Sequence, residues 1–388
     1  MSTGEMIYFD NAATTFPKPE SVYQAMDEAN RRLAVNAGRG SYSLAKEADH
    51  LIKAAREAVS DLVCGSQVAE VVFTASATLA LNQIIGGMAW NERAVVYVSP
   101  YEHNAVMRPL HLFQKKYGFQ IQVLPVCEAD HRIDLEKTSY LFAKQPPDAV
   151  FLTHISNVTG YILPVGQLTG LAKAYGASVI VDASQSMGLL EIDLSHTPVD
   201  FLVFAGHKNL YGPFGTGGFL MRRGCQLEPY IAGGTGSDSL NLYMPDAGSI
   251  RYEAASPNVV AIAGLYAACM EIKDKDTRAG FREHERMLTR MLVEGLRPIH
   301  GVKLYLPPAE AHIGIVSFNI DGYQAGEAGM VLDEDYKIAV RTGYHCAPLI
   351  HDYLDDKERL GVIRAGIGRY TTKEDVKKLI RAVSELAE

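Results

Sequence analysis

Between about residues 20 and 220, short apolar runs rich in β-formers alternate with helical patterns, and that alternation leaves few architectures open to the chain. The segments EVVFTAS, RAVVYVSP, DAVFLTHIS, ASVIVDAS and DFLVFAG read as strands. Strands of this kind separated by helices build a mostly parallel sheet with both faces covered, because each crossover helix buries its apolar stripe on the sheet. SLAKEADHLIKAAREAVSDLVCG predicts one such helix, with Ser43 as its N-cap and Gly65 beyond its end, and GQLTGLAKAYGA predicts another. From about residue 260 the pattern changes. A long helical stretch leads into the short strands GVKLYLPP, HIGIVSFNID, KIAVRTGYHC and VIRAGIGRY, and the amphipathic TTKEDVKKLIRAVSELAE follows. This predicts a separate α+β domain.

The 388 residues suffice for a large domain and a smaller one. A net charge of −8 argues against nucleic acid or an anionic membrane as partner, since both would be repelled. MSTGEMIYFDNAATT has no basic start and no apolar core, and no apolar run nears the ~20 residues of a membrane helix, so a cytoplasmic location is expected. Cys64, Cys127, Cys225, Cys269 and Cys346 are odd in number and show no CxxC spacing, which suggests neither a disulfide framework nor a zinc site. YGPFGTGG lacks the GK[ST] ending of a P-loop, and GGTGSDS lacks a flanking strand and helix, so a nucleotide fold is not expected.

In parallel α/β sheets, ligands collect beyond the carboxyl ends of the strands. The polar residues of this chain collect there too. VVFTAS runs into Ala77, Thr78 and a helix; DAVFLTHIS ends near Asn157; ASVIV ends at Asp182, with Gln185 beyond; DFLVFAG ends at His207 and Lys208. A desolvated lysine has its ammonium form disfavoured and can attack a carbonyl as a free amine. Pyridoxal phosphate supplies an aldehyde for that amine, and its ring nitrogen needs an anionic partner to stay protonated, which Asp182 provides. The phosphate would sit at a helix start, where unpaired N–H groups and the dipole favour an anion, with Thr78 as hydroxyl donor. His103 in YEHNAV supplies a flat neighbour for the ring. Singly, an aspartate at a strand end also reads as an N-cap, and a His-Lys pair before glycine as a solvated turn. Their joint arrangement carries the cofactor reading.

With these residues in view, the chain resembles the class V aminotransferase group of pyridoxal-phosphate enzymes and, within it, the cysteine desulfurases. YFDNAATTFPKP, VVFTASATLALNQI, YEHNAVMRPL, SNVTGYILPV, VDASQSMG, GHKNLYGPFGTGG, RYEAASPN and RTGYHCAP follow in the family's order and spacing over nearly the whole length. The resemblance implies fold type I: a large domain over residues 18–258 with a mostly parallel seven-stranded sheet, and a smaller α+β domain from residues 1–17 and 259–388. It implies that Lys208 binds pyridoxal 5'-phosphate covalently and that Asp182 pairs with the ring nitrogen. Gln185 and Asn157 would meet the ring oxygen, His103 would stack on the ring, and Ala77, Thr78 and His207 would bind the phosphate. Ser256 would reach a phosphate across the interface of a homodimer. Arg364 would clamp the substrate carboxylate, with Arg341, Asn11, Ala13 and Tyr42 also facing substrate. Ala205 stands where relatives often have serine, Ala77 where a second hydroxyl is common, Ala255-Ser256 where Gly-Thr is usual, and Tyr42 where a histidine is frequent.

Cys346 decides between reactions on this framework. It follows a β-like run, with Arg341 five residues before it and His345 adjacent, and nearby cations favour the thiolate that reacts. The other four cysteines read as small buried hydrophobes. A metal at Cys346 with His345 and His351 is disfavoured because tetrahedral ligand spacing is absent. The short RTGYHCAP segment resembles the group II, SufS-like desulfurases, which implies conversion of L-cysteine to L-alanine with sulfur held on Cys346 and passed to an acceptor protein or thiol. Selenocysteine lyase with L-selenocysteine as substrate, a C–S lyase or aminotransferase, and a non-catalytic cofactor-holding protein remain alternatives.

Overall fold

The computed structural model describes residues 6–37, 40–236 and 239–388. A two-residue strand β1 (Ile7–Tyr8) is followed by helices α1 (Glu20–Arg32) and α2 (Ser43–Asp61). Ser43 is the first helical residue of α2, and Tyr42 occupies the N-cap. Gly65 accepts the end of the helix as expected, its N–H donating to the Ser60 carbonyl at 2.9 Å.

The large sheet consists of β2 (Ala69–Thr74), β3 (Val95–Val98), β4 (Gln120–Val123), β5 (Ala149–Thr153), β6 (Ser178–Asp182), β7 (Phe201–Ala205) and β8 (Gly217–Arg222). These seven strands lie in the order β2-β8-β7-β6-β5-β3-β4. From β7 to β4 neighbours are parallel, and β8 is antiparallel to both β2 and β7. Successive residues feed opposite cores. Val71, Val150, Val179 and Leu202 join one apolar cluster with Phe142 and Leu168, while Val72, Phe151, Ile180 and Val203 join the other with Leu81 and Leu110. Each such side chain contributes about 1.5–3 kcal/mol when fully buried. Helices α3 (Ala77–Gly87) and α4 (Asn104–Tyr117) cover one face, and α5 (Leu135–Lys144) and α6 (Val165–Lys173) the other.

Strand β8 begins inside the glycine-rich stretch, and its glycines serve close packing. A Cβ on Gly217 would lie 2.7 Å from the Ser76 carbonyl carbon, and one on Gly218 would lie 2.2 Å from the Val72 oxygen. The bare backbone lets β8 lie against β2 and the start of α3.

Helices α7 (Val259–Glu271) and α8 (Lys275–Leu296) lead to β9 (Val302–Tyr305), β10 (Ile315–Ile320), α9 (Ala325–Tyr336), β11 (Ile338–Ala339), β12 (Arg341–Gly343), β13 (Val362–Gly366) and α10 (Lys373–Ala387). Strands β12-β13-β10-β9 form an antiparallel sheet, whose Val316, Phe318 and Ile363 pack with Leu288, Leu292 and Leu379 of the helices. The nearly all-apolar α7 packs instead toward the first unit: its Val259 and Ile262 meet Ile52 of α2, and its Leu265 and Cys269 enter a large-sheet core. Strand β1 pairs with β11, and Gly366 donates to the Phe9 carbonyl at 2.6 Å, so residues 7–10 are stitched to the second unit. No helix among the described residues is long and apolar enough to cross a membrane.

Candidate active site

The carboxyl ends of the parallel strands deliver their polar residues to one rim, as topology requires. Asp182 ends β6, Lys208 stands three residues beyond β7, and Asn157 and His103 follow β5 and β3. Strands β12 and β13 close the opposite wall with Arg341 and Arg364, and Cys346 follows β12. A cavity of about 350 Å³ lies between, lined by Lys208, Asp182, His103, Asn157, Ala77, Thr78, His207, Ala13, Arg341, Arg364 and Cys346. Gln185 joins from an adjoining recess that it shares with Lys208 and Asp182.

The amine of Lys208 lies deep in this cavity, and burial holds it below the ordinary lysine value; Arg364 adds to that effect, while Asp182 and Cys346 oppose it. His103 caps α4, its Nδ1 accepting the Ala105 N–H at 2.9 Å. That leaves Nε2 to carry the proton of the neutral ring. Burial, reinforced by Lys208, pushes His103 down to about 4. Ring-nitrogen NMR should therefore show His103 neutral above about pH 5, with its titration well separated from the ordinary histidine range. A midpoint near 6.5 would show the ring to be solvated.

His207 stacks on Phe214 with centroids 4.7 Å apart. Burial, then Lys208 and Lys18, push it down to about 4. Its carbonyl is gripped by the N-terminal loop: Thr14 Oγ1 donates at 3.0 Å, the Thr15 N–H at 3.2 Å and Lys18 Nζ at 2.8 Å. The loop thereby fixes the turn that carries Lys208, and Thr15 Oγ1 also donates to the Lys208 carbonyl at 3.1 Å.

Arg364 is almost wholly buried, one terminal nitrogen donating to the Asn157 carbonyl at 2.8 Å and the other to Asp10 Oδ1 at 3.0 Å. Its Nε–H is buried without a partner. Arg341 holds the same Asp10 carboxylate, Nε lying 3.2 and 3.0 Å from its two oxygens. Asp10 thus anchors both arginines, a role the sequence reading did not assign, because long-range pairing, of β1 with β11 and of Asp10 with Gly366, brings residue 10 to them.

The chain around Cys346 departs from expectation. His345 was expected to be a cation beside the thiol. Instead it is buried, its Nε2 donating to the Val362 carbonyl at 3.1 Å, and burial holds it well below the ordinary histidine value. It is neutral, and the charge of Arg341 is shared with Asp10. Cys346 itself is exposed, whereas Cys269 is buried and Cys64, Cys127 and Cys225 are half-buried. Burial pushes Cys269 up to about 12 and Cys225 up to about 11, which suits the structural reading of these two.

Three expected residues lie outside the cavity. Asn11 spends its amide on the backbone, donating to the Tyr8 and Gly366 carbonyls at 3.3 and 3.0 Å and accepting from the Phe16 N–H, so it shapes the loop and does not line the cavity. Tyr42 is exposed at the start of α2, where its backbone caps the helix. Ser256 is exposed ahead of α7 and does not line the cavity of its own chain. The sequence reading passed over Ser76, Ser184 and Phe214, which do line it. The N-cap hydroxyl of Ser76, accepting from the Leu79 N–H at 3.2 Å, was the signal available in TASATL.

The polar atoms left over fit pyridoxal phosphate. Asn157 Oδ1, Ser184 Oγ and His207 Nδ1 are buried without partners around Lys208 and Asp182. The first N–H groups of α3, at Ala77 and Thr78, have no intrahelical acceptor and face the same space. Hydroxyls, amides and a helix start beside one lysine and one aspartate make a donor set for a phosphorylated, ring-bearing aldehyde.

Comparison with known proteins agrees. The family model for aminotransferase class-V matches residues 7–379. The chain belongs to that family. Its cofactor is pyridoxal 5'-phosphate. A Methanothermobacter thermautotrophicus protein named "Probable cysteine desulfurase" is 33% identical, the match covering 98% of this chain and 94% of the relative. A cysteine desulfurase of Pectobacterium atrosepticum is 32% identical over 98% of this chain and 93% of its own. The apo structure of a cysteine desulfurase from Thermococcus onnurineus NA1 superposes with a TM-score of 0.88 at 30% identity, covering 98% of this chain and 94% of that one.

Proposed function

We propose that this class-V protein is a cysteine desulfurase that converts L-cysteine to L-alanine and keeps the sulfur as a persulfide on Cys346. One observation carries the reading: the Cys346 thiol opens into the same cavity as Lys208, Asp182 and Arg364. A base, a ring-nitrogen partner, a carboxylate clamp and a sulfur acceptor thus face one space, and relatives over nearly the whole length bear the desulfurase name.

Lys208 would bind the cofactor's aldehyde, Asp182 would hold a proton at the ring nitrogen, and His103 would cover the ring face. Asn157, Gln185 and Ser184 would meet the ring oxygen and its surroundings, with Ala77, Thr78 and His207 toward the phosphate. When bound, the cofactor supplies an electron sink for the carbon bearing the substrate amine. The Lys208 amine, disfavoured as a cation by burial, takes the proton from that carbon. Arg364 orients the substrate carboxylate with its remaining N–H groups while Asp10 holds the guanidinium in place. The Cys346 thiolate then attacks the substrate sulfur. An S–S bond forms, the C–S bond breaks, and its electron pair stays on the carbon skeleton, which takes up protons to leave as alanine. No external oxidant is needed, and a thiol acceptor discharges the persulfide.

A homodimer belongs to the proposal. Leu240, Leu242 and Tyr243 are 95%, 95% and 85% exposed on the excursion between β8 and α7, beside exposed Ser256, and a second copy would cover that apolar surface and receive the serine. The small domain is proposed to begin after α7, given how that helix packs.

Mass spectrometry after incubation with L-cysteine tests the function. One added sulfur on Cys346, with alanine formed, is the expected result; an unmodified Cys346 during turnover overturns it. Parallel runs with L-selenocysteine measure the preference between the two substrates. Arg364→Lys keeps the charge but loses the planar fork, and is expected to raise KM for L-cysteine about 10–100-fold. Initial-rate kinetics check this, and an unchanged KM would remove Arg364 from carboxylate binding.

A further inference from the structure

We propose that His351 and Asp356 form a buried clamp that positions Cys346 for sulfur transfer; the inference rests on reading Cys346 as the sulfur-accepting residue.

The loop that carries Cys346 is held in an unfavourable backbone conformation. His345 has φ 46° and Cys346 φ 57°, two consecutive side-chain-bearing residues in the left-handed region. Such residues persist only where the surroundings over-determine the backbone. Three carbonyls of the loop are held in turn. From the large-sheet side, Asn157 Nδ2 donates to the His345 carbonyl at 2.7 Å, and the Asn104 N–H donates to the Cys346 carbonyl at 2.6 Å. From within its own unit, the Tyr344 carbonyl takes the Ala347 N–H at 3.1 Å and His351 Nε2 at 3.0 Å.

His351 and Asp356 are set up for this contact. Their side chains are only 2% and 0% exposed, and His351 Nδ1 lies 2.5 Å from Asp356 Oδ2. A carbonyl can only accept, so Nε2 carries a hydrogen; two bare acceptors cannot sit 2.5 Å apart, so a second hydrogen lies between Nδ1 and Oδ2, and this bond to the carboxyl group fixes the orientation of the ring. The Tyr344 ring meets the imidazole edge-on, centroids 5.0 Å apart at 82°. The carbonyl of Asp356 is held in turn by the Arg359 and Gly361 N–H groups at 3.0 and 3.1 Å. Gly361 lies so close to Gly343 that a Cβ there would come within 2.3 Å of the Gly343 carbonyl carbon. The clamp therefore ties the Cys346 loop to the end of β12 and the start of β13, the strand that carries Arg364. Neither residue lines the cavity, so the pair acts on the thiol only through the backbone; it is a positioning device.

The test compares the holoenzyme with His351→Ala, His351→Gln, Asp356→Asn and Cys346→Ser. In His351→Ala, single-turnover persulfide formation on Cys346, followed by mass spectrometry, is expected to slow about 10–100-fold, because ångström-scale misplacement costs that much, while KM for L-cysteine and the cofactor's spectral response to it stay within about threefold. Amide exchange at Ala347, whose N–H bonds the Tyr344 carbonyl, and at Asn104, whose N–H bonds the Cys346 carbonyl, is expected to rise about tenfold or more without substrate. His351→Gln keeps an N–H near the Tyr344 carbonyl and should recover much of the transfer rate; Asp356→Asn should fall between. Persulfide formation within about threefold of wild type in His351→Ala, or an equal loss of substrate binding and sulfur transfer, overturns the clamp. If His351→Ala does not fold, Asp356→Asn and His351→Gln carry the same readouts, and wild-type transfer in Asp356→Asn overturns it. Full alanine formation by Cys346→Ser would instead overturn the reading of the function, and so separates the two failures.

Discussion

Replacing Lys208 by alanine is expected to lower turnover of L-cysteine by about 10⁴-fold or more, since one amine serves both as covalent anchor and as proton acceptor. The visible absorbance of the holoenzyme should be lost or shifted, and the cofactor should dialyse away more readily. Among the described residues no other amine lines the cavity. Lys18 is the nearest candidate in chemistry, since burial and Arg369 push it down to about 7. Its Nζ is already committed to Thr15 Oγ1 at 2.7 Å and to the His207 carbonyl at 2.8 Å, and it does not line the cavity. Arginine at position 208 would fail as well, because a guanidinium stays protonated and cannot act as the free amine. Alanine release and cofactor retention measured on Lys208→Ala check the prediction. Activity within about tenfold of wild type would mean that proton transfer runs through another group.

The part of this site legible in the sequence is the part that local pattern dictates. Apolar runs ending in Asp182 and in His207-Lys208 had to be strands, and a parallel sheet has to bring their ends to one rim. Strand β4, QIQV, escaped because its polar alternation at a sheet edge resembles a loop, and β8 because its leading glycines read as a turn although they exist to let two backbones approach. Contacts between distant segments carried no local signal. Asp10 reaches Arg341 and Arg364 through the β1–β11 pairing and its own bridge to Gly366, and the neutrality of His345 follows from burial against β13. A histidine next to a cysteine in sequence says nothing about which way its ring turns. Asn11 was open to two readings for a related reason: an asparagine in a tight loop is as able to satisfy three backbone groups, as this one does, as to meet a substrate.

Replacing Cys346 by alanine is expected to reduce alanine formation from L-cysteine about 10³-fold and to abolish the persulfide, because the substrate sulfur then has no nucleophile held in the cavity. None of the other four thiols lines the cavity: Cys269 is buried, Cys64 and Cys127 are half-buried elsewhere, and the Sγ of Cys225 lies 3.4 Å from Asp200 Oδ1. Binding of L-cysteine should survive, since Arg364, Asp182 and Lys208 are untouched. The variant should therefore still show the substrate-induced spectral change of the cofactor while alanine accumulates only slowly. This combination separates the desulfurase reading from a C–S lyase on the same framework, in which sulfur leaves without a protein acceptor and the loss of Cys346 changes little. It also separates it from a protein that merely holds the cofactor, which would show no turnover before or after the substitution. Wild-type alanine release by Cys346→Ala, measured without added thiol, would assign the exposed cysteine some role other than sulfur capture.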